Sequence, residues 1–186
     1  MDPTHAYPGK ELKKWRRNII LEKPVVTVIL DEVGSAPGAK IQARFFPGGS
    51  SGARSARFTP PPGVEYKVSS DHVLLTSQRH TLALIPLVLE NSFTIVGNAL
   101  PSMPVTEDAV LSWIPYFETV TTAKSSTSII VTLVLPVNDQ KEAEEIVKTA
   151  KLVQSNPNEL EVSISGASGA YKWVFAKGKD GYALKN

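Results

Sequence analysis

The chain has 186 residues, of which 42% are hydrophobic and 20% are charged, so it is long enough to bury a core. Its 20 basic and 18 acidic residues give a formal net charge of +2, which is too small to predict a general binder of nucleic acid. The absence of cysteine excludes disulfides, thiol nucleophiles and cysteine-ligated zinc. No apolar run is long enough to cross a bilayer, and the first residues, MDPTH, lack the basic and then apolar pattern of a leader. We therefore expect neither nucleic acid nor a membrane as a partner.

Short apolar runs rich in Val, Ile, Leu and Thr, separated by Pro, Gly and Ser clusters, follow one another along the chain, which is typical of an antiparallel β protein. The predicted strands are residues 15–22, 25–32, 40–46, 56–59, 73–77, 81–89, 93–97, 117–122, 128–137, 160–165 and 170–176. Alternation of apolar residues in 41–45 and 171–175 predicts one face on a core and the other in solvent. The run 25–30 is apolar almost throughout and predicts a strand that is covered on both faces.

One segment, NDQKEAEEIVKTAKLVQ, breaks the strand pattern and predicts a short helix near residues 139–154. From Ala143 to Ala150 the apolar residues recur at i, i+3, i+4 and i+7, and Asn138 or Asp139 can serve as the N-cap. The turn formers of 156–158 then end the helix. The predicted fold is therefore an all-β protein, an antiparallel β-sandwich of two packed sheets with this one short helix, and residues 1–186 are expected to form a single domain.

The residue types that usually carry catalysis or metal binding are poorly arranged for either task. His5, His72 and His80 lie in three segments without metal-ligand spacing, so ordinary surface or turn positions are favoured. The loop 47–56 contains GSSGARS, which lacks both the Gly-x-Ser-x-Gly register and the Gly-Lys-Ser/Thr ending of a phosphate loop. The second long predicted loop, 98–110, also carries no such motif. We expect no catalytic residue, metal site or cofactor in this chain.

Aromatic residues are the better candidates for binding, because β-sandwiches that bind sugars commonly use aromatic faces. Trp113, Tyr116 and Phe117 form the segment SWIPYFE, and Tyr171 and Trp173 lie on one side of a predicted strand. Packing in the core is the favoured interpretation, since aromatic residues bury large areas. The alternative is a carbohydrate platform made by Trp113, Tyr116, Tyr171 and Trp173.

The segment Trp15-Arg16-Arg17 combines an aromatic ring with two cations, a pattern that also occurs where proteins contact phosphates. Acidic residues are close by at 11, 22 and 31–32. A strand whose arginines project outward or pair with these acids is therefore favoured over a nucleic-acid or membrane contact.

The first part of the chain, DPTHAYPGKELKKWRRNIILEKPVVTVILDEV, resembles a segment of the heparinase II/III-like polysaccharide lyases. The likeness consists of a D-x-T-x-A-Y-P element (residues 2–8), a W-x-R element with Trp15 and Arg17, an apolar strand, and a second strand that ends in D-x-V with Asp31. KIQARFFPG and YKWVFAKG are similar to later strands of the same region.

The resemblance implies that this chain is the C-terminal β-sandwich of a longer protein, in which an (α/α) toroid domain precedes the sandwich. In that family the residues that carry out β-elimination on a uronic-acid polysaccharide come from the toroid and the early sandwich. None of them has a counterpart here, so no catalytic residue is carried over. The resemblance further implies an acidic polysaccharide, such as a glycosaminoglycan, and the toroid domain of the same protein as partners, and a periplasmic or extracellular location.

Three functions remain open at this point. The first is a noncatalytic domain that supports the substrate cleft of a polysaccharide lyase. The second is a stand-alone carbohydrate-binding module that uses the aromatic residues named above. The third is a structural module without a ligand.

Overall fold

The computed structural model describes residues 12–23, 25–47, 60, 63–101, 113–166 and 169–185, with the backbone alone at Pro101 and Trp113. Thirteen strands and one helix lie within these residues. In chain order they are β1 (Leu12–Glu22), β2 (Val26–Ser35), β3 (Lys40–Phe45), β4 (Val64–Val68), β5 (Val73–Ser77), β6 (Thr81–Val88), β7 (Phe93–Pro101), β8 (Trp113–Thr122), β9 (Thr127–Val137), α1 (Gln140–Thr149), β10 (Lys151–Asn156), β11 (Glu159–Gly166), β12 (Gly169–Gly178) and β13 (Gly181–Leu184).

The strands form three antiparallel sheets. The largest has six strands in the order β1-β2-β9-β6-β5-β4, the second has four in the order β10-β11-β12-β13, and the third has three in the order β3-β8-β7. The predicted all-β antiparallel sandwich is confirmed, with one layer more than the two sheets that the sequence suggested. The six-stranded sheet is the central layer, because its two faces take part in different core clusters.

One face of the central sheet packs on the four-stranded sheet and on α1. The cluster between them is apolar and includes side chains from all three elements, among them Leu30, Leu133, Leu160, Ala143 and Phe175. Leu30, Leu133, Leu160 and Phe175 are completely buried. Burying side chains of this size provides the main drive for sheet packing.

The other face of the central sheet packs on the three-stranded sheet through two smaller clusters. Val33 and Ile130 meet Ile41 and Ala43 in one of them, and Leu84 meets Phe117 in the other. This cover is partial, since Ile19 and Leu21 on the outer part of β1 are 63% and 59% exposed. The prediction that the run 25–30 is covered on both faces is therefore met only in part: Val26, Val28 and Leu30 are buried, while Thr27 and Ile29 on the other face are half-buried.

The helix begins as predicted and ends earlier than predicted. Asp139 is the N-cap, and its Oδ1 accepts a hydrogen bond of 2.9 Å from the backbone N–H of Glu142. Ala150 is already extended, and residues 151–154 lie in β10, where they pair with β11. The expected extension to 154 was wrong because pairing with a neighbouring strand overrides the helical pattern.

Three strands were not predicted, β4, β10 and β13, and all three lie at the edge of a sheet. β4, VEYKV, alternates strictly and was missed, whereas β10, KLVQSN, and β13, GYAL, show no such alternation. The predicted strand 56–59 lies outside the described residues, as do 48–56 and 102–110 of the two predicted loops. Within the described residues no helix has the length and hydropathy needed to cross a membrane.

Candidate functional site

The W-x-R and D-x-V elements meet in the structure as one contact between neighbouring strands. Arg17 Nε lies 2.7 Å from Asp31 Oδ1 and its second terminal nitrogen 2.8 Å from Oδ2, while Trp15 Nε1 donates to Oδ1 at 2.9 Å. Asp31 is 2% exposed. The guanidinium also lies 5.3 Å from the Trp15 ring and 5.5 Å from the Phe45 ring of β3. These residues therefore hold β1, β2 and β3 together, and Asp31 is too buried to meet a ligand.

An open surface is formed by the outer face of the three-stranded sheet, which we call the open face. Every second residue of β3 and of the position after it is exposed, namely 40, 42, 44 and 46, and the positions between them are buried or half-buried. On β7 the exposed positions are 94, 96, 98 and 100. Phe46 is 50% exposed, Val96 40% and Leu100 39%. These three side chains give the open face some exposed apolar surface.

The centre of the open face is built around one buried carboxylate. Glu118 is 6% exposed, and its Oε2 accepts hydrogen bonds from Arg44 Nε at 3.1 Å and from Gln42 Nε2 at 3.0 Å. The Arg44 guanidinium lies 5.2 Å from the Tyr116 ring, and the centroid of the Phe46 ring lies 5.4 Å from that of the Tyr116 ring. Arg44 and Phe46 are thus fixed over Tyr116 and Glu118 on the central strand β8.

The chemistry of the open face suits a sugar with acidic groups. The Arg44 side chain is 42% exposed even though its Nε is paired with Glu118, so the rest of the guanidinium is available to a carboxylate or sulfate. Phe46 offers an aromatic surface, while the exposed amides of Gln42 and Asn98 can bond hydroxyl groups.

The aromatic residues predicted from the sequence occupy different places. Tyr116 is on the open face but 3% exposed, beneath Arg44 and Phe46. Trp173 is 5% exposed in the core between the central and four-stranded sheets, and its Nε1 donates to Glu22 Oε2 at 2.7 Å. The half-buried Tyr171 ring is nearly parallel to the Trp173 ring, with centroids 6.1 Å apart. Trp113 begins β8, and its side chain lies outside the described residues. Sugar binding by these four residues stays a prediction.

Phe46 and Arg44 were missed as candidates, although the sequence contains a signal for them. The alternation predicted for 41–45 already placed Gln42 and Arg44 on the solvent side, and the structure confirms it. What the sequence lacked was the pairing of β3 with β8, which places Arg44 opposite Glu118.

The histidines are dispersed. His72 is 2% exposed with its Nδ1 2.6 Å from Asp71 Oδ1, and His80 lies in the turn after β5. His5 is outside the described part of the chain. Within that part no group of three or more His, Asp or Glu residues is placed to hold a metal ion.

Comparison with solved structures finds the same fold within much longer chains. A structure of heparinase III has a TM-score of 0.63 and 16% identity, and the match covers 89% of this chain and 24% of that one. A second heparinase III structure has a TM-score of 0.59 and 14% identity, with 91% and 25% covered. A heparan sulfate lyase of Pedobacter heparinus has a TM-score of 0.57 and 12% identity, with 96% and 24% covered.

The chain thus spans about a quarter of the length of the solved structures that it matches. No family model and no curated protein matches it. The resemblance to heparinase-like lyases is confirmed as a shared fold.

Proposed function

We propose that this chain is a noncatalytic β-sandwich part of a heparinase-like polysaccharide lyase and supports the cleft that binds an acidic polysaccharide. The observation that carries the proposal is the match to heparinase III, which takes in 89% of this chain and 24% of that one. The ordered W-x-R and D-x-V elements support it, since Trp15, Arg17 and Asp31 form one contact between β1 and β2.

The requirements of β-elimination support the noncatalytic part of this proposal. A base must take the proton next to the uronate carboxylate, an acid must protonate the leaving oxygen, and the carboxylate must be neutralised. His72 is too deeply buried to reach a sugar, and the carboxylates Asp31 and Glu118 are both buried and paired with arginine. In this proposal the acid and the base belong to a toroid domain of the same protein, which works in the periplasm or outside the cell.

The experiment that tests this proposal is the mass and activity of the native product. An antibody against this chain is used to blot and to precipitate the protein from source cells. We expect a band about four times the 20.1 kDa of this chain, and precipitated material that forms unsaturated uronate ends from heparan sulfate, detected by their ultraviolet absorbance. A band at 20.1 kDa without lyase activity would reject the proposal.

A stand-alone carbohydrate-binding module is the second candidate, and the open face favours it. Isothermal titration calorimetry of the purified chain with acidic and neutral tetrasaccharides tests it. We expect Arg44→Ala to weaken binding of the acidic sugar alone and Phe46→Ala to weaken both. Lys151→Ala, which removes an exposed cation from the edge strand β10, is the matched control. Heat signals at the level of the buffer for every sugar would eliminate this candidate.

A further inference from the structure

Basic side chains gather where β1, at the edge of the central sheet, meets the turn between β12 and β13, and we call this surface the basic corner. Three of them belong to β1, one to the end of β12 and one to the turn. They are Lys13, Lys14, Arg16, Lys177 and Lys179. The open face is on the other side of the central sheet, because the three-stranded and four-stranded sheets pack on opposite faces of it. The basic corner is therefore a separate surface.

A β-bulge near the start of β1 brings two consecutive lysines to this corner. Lys14 pairs with Gly34, and the register shifts just before it, so Lys13 is the extra residue. A Cβ at Gly34 would lie 3.2 Å from the Lys14 Cβ and 3.8 Å from the Lys13 Cβ. Neighbouring side chains of a regular strand point to opposite faces, whereas a bulge re-aims one of them. Both lysines therefore lie beside the same position of β2.

The β12–β13 turn approaches β1 closely because Gly181 has no side chain. Lys179 and Asp180 form the tip of this turn, and Arg16 donates to the Asp180 carbonyl. A Cβ at Gly181 would lie 3.2 Å from the Lys14 Nζ and 3.3 Å from the Arg16 Cδ. This contact holds the lysine of the turn next to the cations of β1.

Positive charges outnumber negative ones at the basic corner. Its carboxylates within the described residues are those of Glu32 and Asp180. Glu32 is 4% exposed, and its Oε1 lies 3.3 Å from the Lys14 Nζ, so it is buried and already paired. Apart from Lys14, the cations of the corner form no ion pair in the part of the chain that the structure describes. The local excess of positive charge exceeds the formal net charge of +2 of the whole chain.

Acidic side chains on neighbouring strands are paired with other cations. Asp31 lies 2.7 Å from Arg17, and Glu159 lies 2.7 Å from Lys185. They are therefore not available to balance the charge of the basic corner. Clustered like charges repel one another and destabilise the folded chain, and a bound anion relieves this repulsion. The corner is thus suited to a ligand that carries several negative charges.

We propose that the basic corner binds sulfate and carboxylate groups of an acidic polysaccharide, with Arg16, Lys177 and Lys179 as the main pairing cations. The Lys177 Nζ lies 5.6 Å from the centroid of the Tyr182 ring, which is 3% exposed. This ring therefore offers no face on which a nucleic-acid base could stack. The choice of an anion rests on the charges of the corner, and the choice of a polysaccharide rests on the proposed function.

The test is isothermal titration calorimetry of the purified 186-residue chain with a heparan sulfate tetrasaccharide, with cellotetraose as the neutral probe. The double variant Lys177→Ala/Lys179→Ala is expected to weaken binding of the acidic sugar about tenfold, because two exposed ion pairs are lost. The control is Lys148→Ala/Lys151→Ala, which removes the same charge from exposed positions of α1 and of β10, the opposite edge of the four-stranded sheet. We expect the control to bind as the unaltered chain does.

Two further measurements use the unaltered chain. In an amide NMR titration with the acidic tetrasaccharide, the shifts of 13–16 and 177–182 are expected to move. The affinity is expected to fall as the salt concentration rises, because salt screens exposed charges. A single-stranded oligonucleotide of matched charge is expected to bind more weakly than the acidic sugar.

Four results would overturn the basic corner as a polysaccharide site. The first two are no binding of the acidic sugar, and equal affinity in the unaltered chain and in Lys177→Ala/Lys179→Ala. The third is an equal loss in the control variant, which would show a general effect of charge. The fourth is an oligonucleotide that binds at least as tightly as the acidic sugar, which would indicate nucleic acid as the ligand.

The outcome is separate from that of the proposed function, which the mass and lyase activity of the native product decide. A native lyase whose sandwich binds equally well in Lys177→Ala/Lys179→Ala would refute the basic corner alone. A native product of 20.1 kDa without lyase activity whose binding depends on these two lysines would refute the lyase proposal alone.

Discussion

The two faces of the central sheet are packed in different ways. Toward the four-stranded sheet the contact is a continuous apolar cluster that contains Leu30, Leu133 and Phe175. Toward the three-stranded sheet the apolar clusters are small, and the buried pair of Arg17 and Asp31 lies among them. Apolar burial provides most of the free energy of folding, whereas a buried ion pair contributes little net stability but is costly to break. We infer that the first face mainly stabilises the fold and that the second fixes how the sheet bearing the open face is placed.

The largest loss of stability is expected from a cavity between the central and four-stranded sheets. Phe175→Ala removes a completely buried ring and should lower the free energy of unfolding by about 4 kcal/mol. Phe46→Ala, the matched control on the open face, removes a half-exposed ring and should cost about 1 kcal/mol or less. Urea unfolding followed by fluorescence measures both values. Similar losses for the two variants would contradict the contrast between core and surface.

The loss of stability should differ according to which partner of the Arg17–Asp31 ion pair is replaced. Arg17→Met leaves the Asp31 carboxylate buried without its cation and should cost about 3 kcal/mol. Asp31→Asn leaves a guanidinium that is 23% exposed and can be hydrated, so it should cost less, about 1–2 kcal/mol. Unfolding of both single variants and the double variant gives the coupling energy. A larger loss for Asp31→Asn would show that the burial of the carboxylate is not the controlling factor.

At β13, Gly181 lies beside the charged side chains of Lys14, Arg16 and Glu32. Substitution of this glycine tests how tightly the chain is packed there. Gly181 has a φ of +114°, and a Cβ there would clash with Glu32 Oε2. Gly181→Ala should therefore cost about 2 kcal/mol or more, from backbone strain and this clash together. Gly38 has a φ of +85° with open space around it, so Gly38→Ala should cost only about 1 kcal/mol. Thermal unfolding of the pair decides, and equal shifts of Tm would rule out crowding by Glu32.

The smallest change in stability is expected from the ion pair of Glu159 and Lys185 beside the four-stranded sheet. The hydrogen bond from Lys185, and then that from Asn156, lowers the pKa of Glu159 below its ordinary value of 4.5. A lowered pKa in the folded state means that the contribution to stability is present above that value and is lost as the pH falls through the folded pKa. Glu159→Gln should therefore be slightly less stable than the unaltered chain at about pH 7, and this difference should shrink as the pH falls through the folded pKa of Glu159. A stability difference between the two proteins that grows as the pH falls would contradict a lowered pKa of Glu159.

Local pattern in the sequence determined the class of fold, the inward and outward faces of β3 and the start of the helix, because these depend on side-chain period and on a cap three residues away. The W-x-R and D-x-V elements also singled out Trp15, Arg17 and Asp31, which the structure places on the paired strands β1 and β2. The edge strands β10 and β13 show no such pattern, and their backbone groups are ordered by a partner strand.

The long-range contacts of the candidate residues were decided by tertiary structure. Trp173 is buried in the cluster between two sheets, where its Nε1 donates to Glu22, 151 positions away, and Arg44 is fixed by Glu118, 74 positions away. Contacts over such separations depend on which strands pair, and a local pattern of apolar and polar residues does not specify that pairing.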